Sequence, residues 1–179
     1  QLASEKLVLL LALPPKTCRG QTGLLCEAHD FRVLGRNADL CVLKNASVAL
    51  GAPSALADIG RMNEAVRYAV SEIPAKKLLC SLPAGGLQWT LPWHQGQRAR
   101  PLAGAQAAEQ AVQVGAPIRY DDAAQAPHYN FWRGGTEQEV WFEDARSYRA
   151  KCALAAEYRL GGVAVPEAAQ WYSQLWGIL

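Results

Sequence analysis

The chain has 179 residues, 50% of them apolar and 19% charged, with a net charge of +2. That is enough for one sizeable core and is ordinary for a globular protein. Its lysines and arginines are scattered rather than clustered, so nothing would follow a phosphate backbone, and nucleic acid is not an expected partner.

The first apolar run, Leu7 to Leu13, is stopped by Pro14-Pro15. It is too short to span a bilayer and no basic leader precedes it, so it reads neither as a membrane segment nor as a signal peptide. It reads instead as a strand buried on both faces, as parallel sheets require. Because the sequence starts at Gln1 rather than at a methionine, it reads as processed, trimmed, or a piece of something longer. Residues 14–37 read as a loop and a short helix, and Ala38 to Leu43 as a second buried strand.

Residues 44–60 are small and loop-like. In the next segment Met62, Ala65, Val66, Ala69, Val70 and Ile73 recur at helical spacing until Pro74 ends the helix. Leu78 to Leu82 is a third short strand, closed by Pro83. Residues 84–140 break this rhythm and read as a small α+β insertion. It holds Trp89, Trp93, a helical stretch ending near Gly115, and two strand-like pieces around Ile118–Tyr120 and Val140–Phe142. Asp144 is placed to cap a helix over about 145–158, Gly161-Gly162 ends it, and Val163 to Val165 is a fourth strand. The tail from Trp171 to Leu179 reads as a terminal helix. The order is α/β alternation with a parallel sheet.

Cys18, Cys26, Cys41, Cys80 and Cys152 are odd in number and widely spaced, without a C-x-x-C pair. They read as small apolar fillers or free thiols, with neither a disulfide framework nor a zinc site expected. His94 and His128 have no carboxylate or cysteine at ligand spacing, so no metal or other cofactor is expected. Asp121-Asp122 reads as a solvated turn ahead of a calcium ligand, and Gly85-Gly86 and Gly134-Gly135 as turns.

Four segments resemble, in order, the second half of a glycoside hydrolase family 18 barrel of the spore-cortex N-acetylglucosaminidase type. LALPPKT with GLLCEAHDFRVLG (residues 11–35) is similar to its fifth strand and loop. ADLCVL through AVSEIP (38–74) is similar to the sixth strand and helix, and KKLLCSLP with WTLP (76–92) to the seventh strand. EVWFEDARSYRAKCALAAEYRLGGV (139–163) is similar to its last helix and strand, and is the most specific of the four. The resemblance implies one partial barrel domain over 1–179. It would be the C-terminal half of a TIM (β/α)8 barrel, strands five to eight, with the α+β insertion at 84–140 after the third strand of this chain. A full barrel takes about 250 residues.

The family's mechanism uses the substrate's own N-acetyl oxygen as nucleophile. The resemblance implies a Glu acid that ends a D-x-x-D-x-D/E-x-E motif at the fourth strand, an Asp beside it, a Tyr on the acetamide oxygen, and a Trp beneath the sugar. No such motif occurs in these 179 residues. The family's M-T-Y-D/E-W reads Lys44-Asn45-Ala46-Ser47-Val48, so the Tyr position is Ala46. Its Y-G-Y-D-W-T-L-P reads Gly85-Gly86-Leu87-Gln88-Trp89-Thr90-Leu91-Pro92, which keeps Trp89 but neither tyrosine nor the Asp. After the last strand Pro166 replaces the Trp and Glu167 is kept.

No catalytic residue and no metal ligand is therefore assigned. Trp89, Trp93 and Glu167 are the candidate substrate-binding residues. Trp89, Trp93 and Trp132 suit either stacking on sugar rings or packing the insertion, and the sequence leaves both open. His29-Asp30 reads as structural. The expected protein is a family 18-like glycosidase scaffold directed at chitin or peptidoglycan N-acetylglucosaminides, inactive as this chain and at most a weak glycan binder. The alternatives are the C-terminal part of an active cortex hydrolase whose acid lies in a missing N-terminal half, or a structural module of a spore or envelope layer. The expected partners are an N-acetylglucosamine-containing glycan and either a second copy or the missing half-barrel. The resemblance suggests a spore or cell-envelope location; the residues themselves do not give one.

Overall fold

The structure, a computed structural model, describes residues 5–44, 52–165 and Gly177. Ala46, Pro166, Glu167 and the tail read as a terminal helix lie outside the described residues. The described residues form two compact units.

The first unit draws on residues within Gln1–Asn45, Gly60–Leu82 and Cys152–Ala164. Its strands are β1 (Leu10–Leu13), β2 (Leu40–Leu43), β3 (Leu78–Ser81) and β9 (Gly162–Ala164). They form a wholly parallel sheet in the order β1-β2-β3-β9. β1, β2 and β3 are each shorter than the apolar run that foretells them, and β9 begins one residue before its run. Side chains alternate across such a sheet. Cys41, Leu43, Leu78 and Cys80 lie on one face and are buried, as is Leu13 in register with Leu43. On the opposite face Leu10 and Ala12 are exposed, and Leu40, Val42 and Leu79 are half-buried.

Helix α1 (Phe31–Asn37) starts at Asp30, whose Oδ1 accepts from the amides of Arg32 (3.0 Å) and Val33 (3.1 Å). That capping satisfies two of the helix's free amides and holds the Asp30 carboxyl below its ordinary pKa, the Val33 amide foremost. Helix α2 (Ile59–Glu72) buries Met62, Ala65, Val66 and Ala69, the stripe read from the sequence. Close approach of the two helices requires Gly35: a Cβ there would stand 2.6 Å from Cγ1 of Ile73. Lys77 fastens the end of α1, donating from Nζ to the carbonyls of Gly35 (3.1 Å) and Ala38 (2.8 Å).

The second unit draws on residues within Ala46–Ile59, Pro83–Lys151 and Val165–Leu179. Its antiparallel sheet holds β4 (Gly86–Leu91), β5 (Arg100–Leu102), β6 (Arg119–Asp121), β7 (Ala126–Arg133) and β8 (Thr136–Phe142), in the order β5-β4-β8-β7-β6. It has five strands where the sequence suggested two strand-like pieces, and it runs past residue 140 to Phe142. Helix α3 (Gly104–Gln113) covers one face. Ala107 and Ala111 pack there on Tyr129, Phe131, Val140 and Phe142. Helix α4 (Ala145–Glu157) follows the sheet, and Asp144 caps it as expected, Oδ1 accepting from the amides of Arg146 and Ser147.

No helix among the described residues is long and apolar enough to cross a membrane.

Candidate functional site

Parallel α/β sheets place their chemistry at the carboxyl ends of strands. Here those ends are followed by Pro14, Lys44, Leu82 and Val165. None is a carboxylate, a hydroxyl or an imidazole. Lys16, two residues beyond Pro14, is buried, and its Nζ donates to the carbonyl of His29 at 3.1 Å. It ties the loop that carries His29 and Asp30, and Asp30 is occupied as a helix cap.

The second unit gathers aromatic and polar groups on the sheet face opposite α3. Register puts Leu87, Trp141 and His128 in one row, Trp89, Glu139 and Asn130 in the next, and Leu91, Glu137 and Trp132 in the third. The His128 and Trp141 rings stack with centroids 4.5 Å apart. Trp141 Nε1 donates to Oε1 of Glu139 at 2.7 Å, and Asn130 Nδ2 donates to Oε1 of Glu137 at 3.0 Å. Both carboxylates are thus held in place by neighbours on the sheet.

The indoles on this face have different surroundings. Trp89 is only 1% exposed, enclosed by a cluster of Ala55, Ala124, Ala126 and Trp141, and its Nε1 has no partner among the described residues. This geometry gives Trp89 a packing role. Trp93 is half-buried against the same cluster, with Nε1 donating to the carbonyl of Gln97 at 3.4 Å. Trp132 is 71% exposed. Asp121 makes the turn expected of it, accepting from the amides of Ala123 and Ala124.

A second buried cluster was not legible as such. Glu143 Oε2 accepts from Lys151 Nζ at 2.7 Å and from Ser147 Oγ at 2.6 Å, with the Glu143 and Lys151 side chains wholly buried. Burial pushes the Glu143 carboxyl up, and Lys151 and Ser147 pull it back. Beside it the Tyr148 hydroxyl donates to the carbonyl of Pro83. The spacing Glu143-Ser147-Lys151, four residues at a time along one helix face, is the signal that could have found it.

The chain is 37% identical over 179 residues to the cortical fragment-lytic enzyme of Bacillus subtilis, covering 98% of itself and 42% of that protein. Its fold superposes on the spore cortex-lytic enzyme SleL of Bacillus megaterium with a TM-score of 0.93 at 37% identity, over 99% of this chain and 41% of that one. The chain is related to the C-terminal half of the cortex-lytic enzymes and shares the fold of glycoside hydrolase family 18 chitinases. A chitinase from Chromobacterium violaceum matches at a TM-score of 0.90 and 25% identity, over 99% of this chain and 56% of the chitinase. No protein-family model matches the sequence. The chain thus spans about two fifths of the length of its cortex-lytic relatives. It shares the α/β fold of these hydrolases, and the relationship is to the C-terminal half of the cortex-lytic enzymes.

Proposed function

We propose that this stretch is the strand-five-to-eight half of a family 18 barrel with its α+β insertion, directed at N-acetylglucosamine-containing glycans. Taken alone it binds such glycans weakly and does not cleave them. One observation carries this reading: the residues that follow the carboxyl ends of the four parallel strands, Pro14, Lys44, Leu82 and Val165, include no carboxylic acid to give a proton to a leaving oxygen. Substrate-assisted hydrolysis needs that acid even though the substrate supplies the nucleophile. The absence of D-x-x-D-x-D/E-x-E from the sequence supports the same reading. Trp93 and Glu167 are the residues assigned to glycan contact.

The test is product analysis on chitin oligomers and cortex glycan with the purified 179-residue chain. No products and weak, saturable binding are expected. Release of new reducing ends by the chain alone would overturn the inactive reading.

A second reading is favoured by the share of the relatives that the chain leaves uncovered. It makes this half part of an active cortex hydrolase, with the acid in the other half. Fusing the uncovered part of the Bacillus subtilis enzyme to the chain tests it. Turnover by the fusion would favour this second reading, and its failure would point to the changed positions Ala46, Leu87 and Gln88.

A further inference from the structure

We propose that the Trp132 end of the second sheet is an additional saccharide subsite, a deepening that rests on the glycan reading above. Leu91, Glu137 and Trp132 stand side by side on β4, β8 and β7 and share one face of the sheet. With Pro92, Gly135 and Thr136 they line an open groove of about 420 Å3, within the range of small-ligand sites. Trp132 is the most exposed aromatic of the described sheet, and an apolar ring left in water beside ordered polar groups is the usual form of a recognition surface.

The groups match a pyranose ring. Its C–H face is apolar and lies flat on an indole, while its equatorial hydroxyls point outward in the ring plane as donors. Glu137 is an acceptor at the side of that platform. Asn130 holds its Oε1 at 3.0 Å, which orients the carboxylate and leaves Oε2 for a hydroxyl. The platform ends in a tight hairpin. Arg133 pairs with Thr136 across a two-residue hairpin turn of Gly134 and Gly135, both at positive φ (57° and 76°). Neither glycine brings a side chain over the groove. The Trp132 row is four residues along β4 from the Leu87 row, about 13 Å.

The test is titration of the 179-residue chain with chitobiose and chitohexaose, read by calorimetry and by the indole N–H resonances. In the unaltered chain the Trp132 resonance should move on adding chitohexaose. Trp132→Ala should weaken chitohexaose binding about tenfold, Trp132→Phe should restore most of it, and Glu137→Gln should weaken it severalfold. Circular dichroism checks that these surface variants keep the fold. Chitohexaose bound equally well by Trp132→Ala and Glu137→Gln would overturn this subsite and leave the glycan reading standing. No binding of either oligomer by the unaltered chain would overturn both.

Discussion

Tyr129 shows how a single side chain is fixed by what surrounds it. It lies on the α3 side of the second sheet, 1% exposed, with its hydroxyl 2.8 Å from the carbonyl of Ala107 and 2.9 Å from Oε1 of Gln110. Burial pushes that hydroxyl up to about 12. An unfolded tyrosine ionises near pH 10. Between about 10 and about 12 the unfolded chain therefore releases a proton that the folded chain keeps, and stability falls as pH rises through that window. The loss from this residue is on the order of 2–3 kcal/mol. Tyr129→Phe should remove this part of the alkaline loss, while lowering stability near neutral pH by about 1 kcal/mol through the missing hydrogen bond. Urea unfolding of both chains at neutral and alkaline pH decides it; equal alkaline slopes would refute the assignment. Trp89 and Trp132 make the complementary point. Both sit on the opposite face, on strands of one sheet, and the sequence gives each the same two options. What separates them is Ala55, from a segment more than thirty residues away, which helps to enclose Trp89. Burial by a distant segment leaves no mark in the local pattern.

At the scale of elements, what the sequence made legible follows from how each strand is buried. β1, β2 and β3 are short apolar runs, two of them closed by Pro14 or Pro83, and they stand where the runs predict them. β7 was missed. Pro127 lacks an amide for the ladder and Asn130 breaks the apolar pattern, yet β7 lies between β8 and β6. Pro127 is tolerated near the strand's start, and Asn130 is exposed on the polar face. At the start of α4 Asp144 caps the helix as expected, and Glu143 is buried against Lys151. A buried ion pair is costly to break from one side, because the survivor is left charged in a dry site. Lys151→Met should therefore cost about 3–5 kcal/mol. Adding Glu143→Leu to it should recover much of that loss, since both desolvated charges are then gone. Denaturant midpoints for the two single variants and the double variant test this as a cycle. A double variant as unstable as the sum of the singles would show that Glu143 and Lys151 act independently.

For the whole molecule the decisive feature is the parallel sheet, and it leads to a prediction about association. β1 and β9 are its outer strands, each with one side unpaired among the described residues. Leu10, at 49% exposure, Ala12, Leu40, Val42 and Leu79 share the face that is not sealed. All-parallel sheets are normally covered on both faces, because their strands are apolar on both. An unpaired edge beside an apolar face invites another chain. The family relationship says what that chain could be, for the cortex-lytic relatives are more than twice as long as the part this chain matches. The 179-residue chain in isolation should therefore self-associate, and light scattering should show a mass that rises with concentration. Supplying the uncovered part of a relative as a separate polypeptide should replace that association with a one-to-one complex. Leu10→Lys with Val42→Lys should suppress both, since each puts an ammonium on the face that has to be buried. A monodisperse monomer at every concentration, indifferent to both substitutions, would mean that this face is stable in water and would remove the physical reason for a missing half.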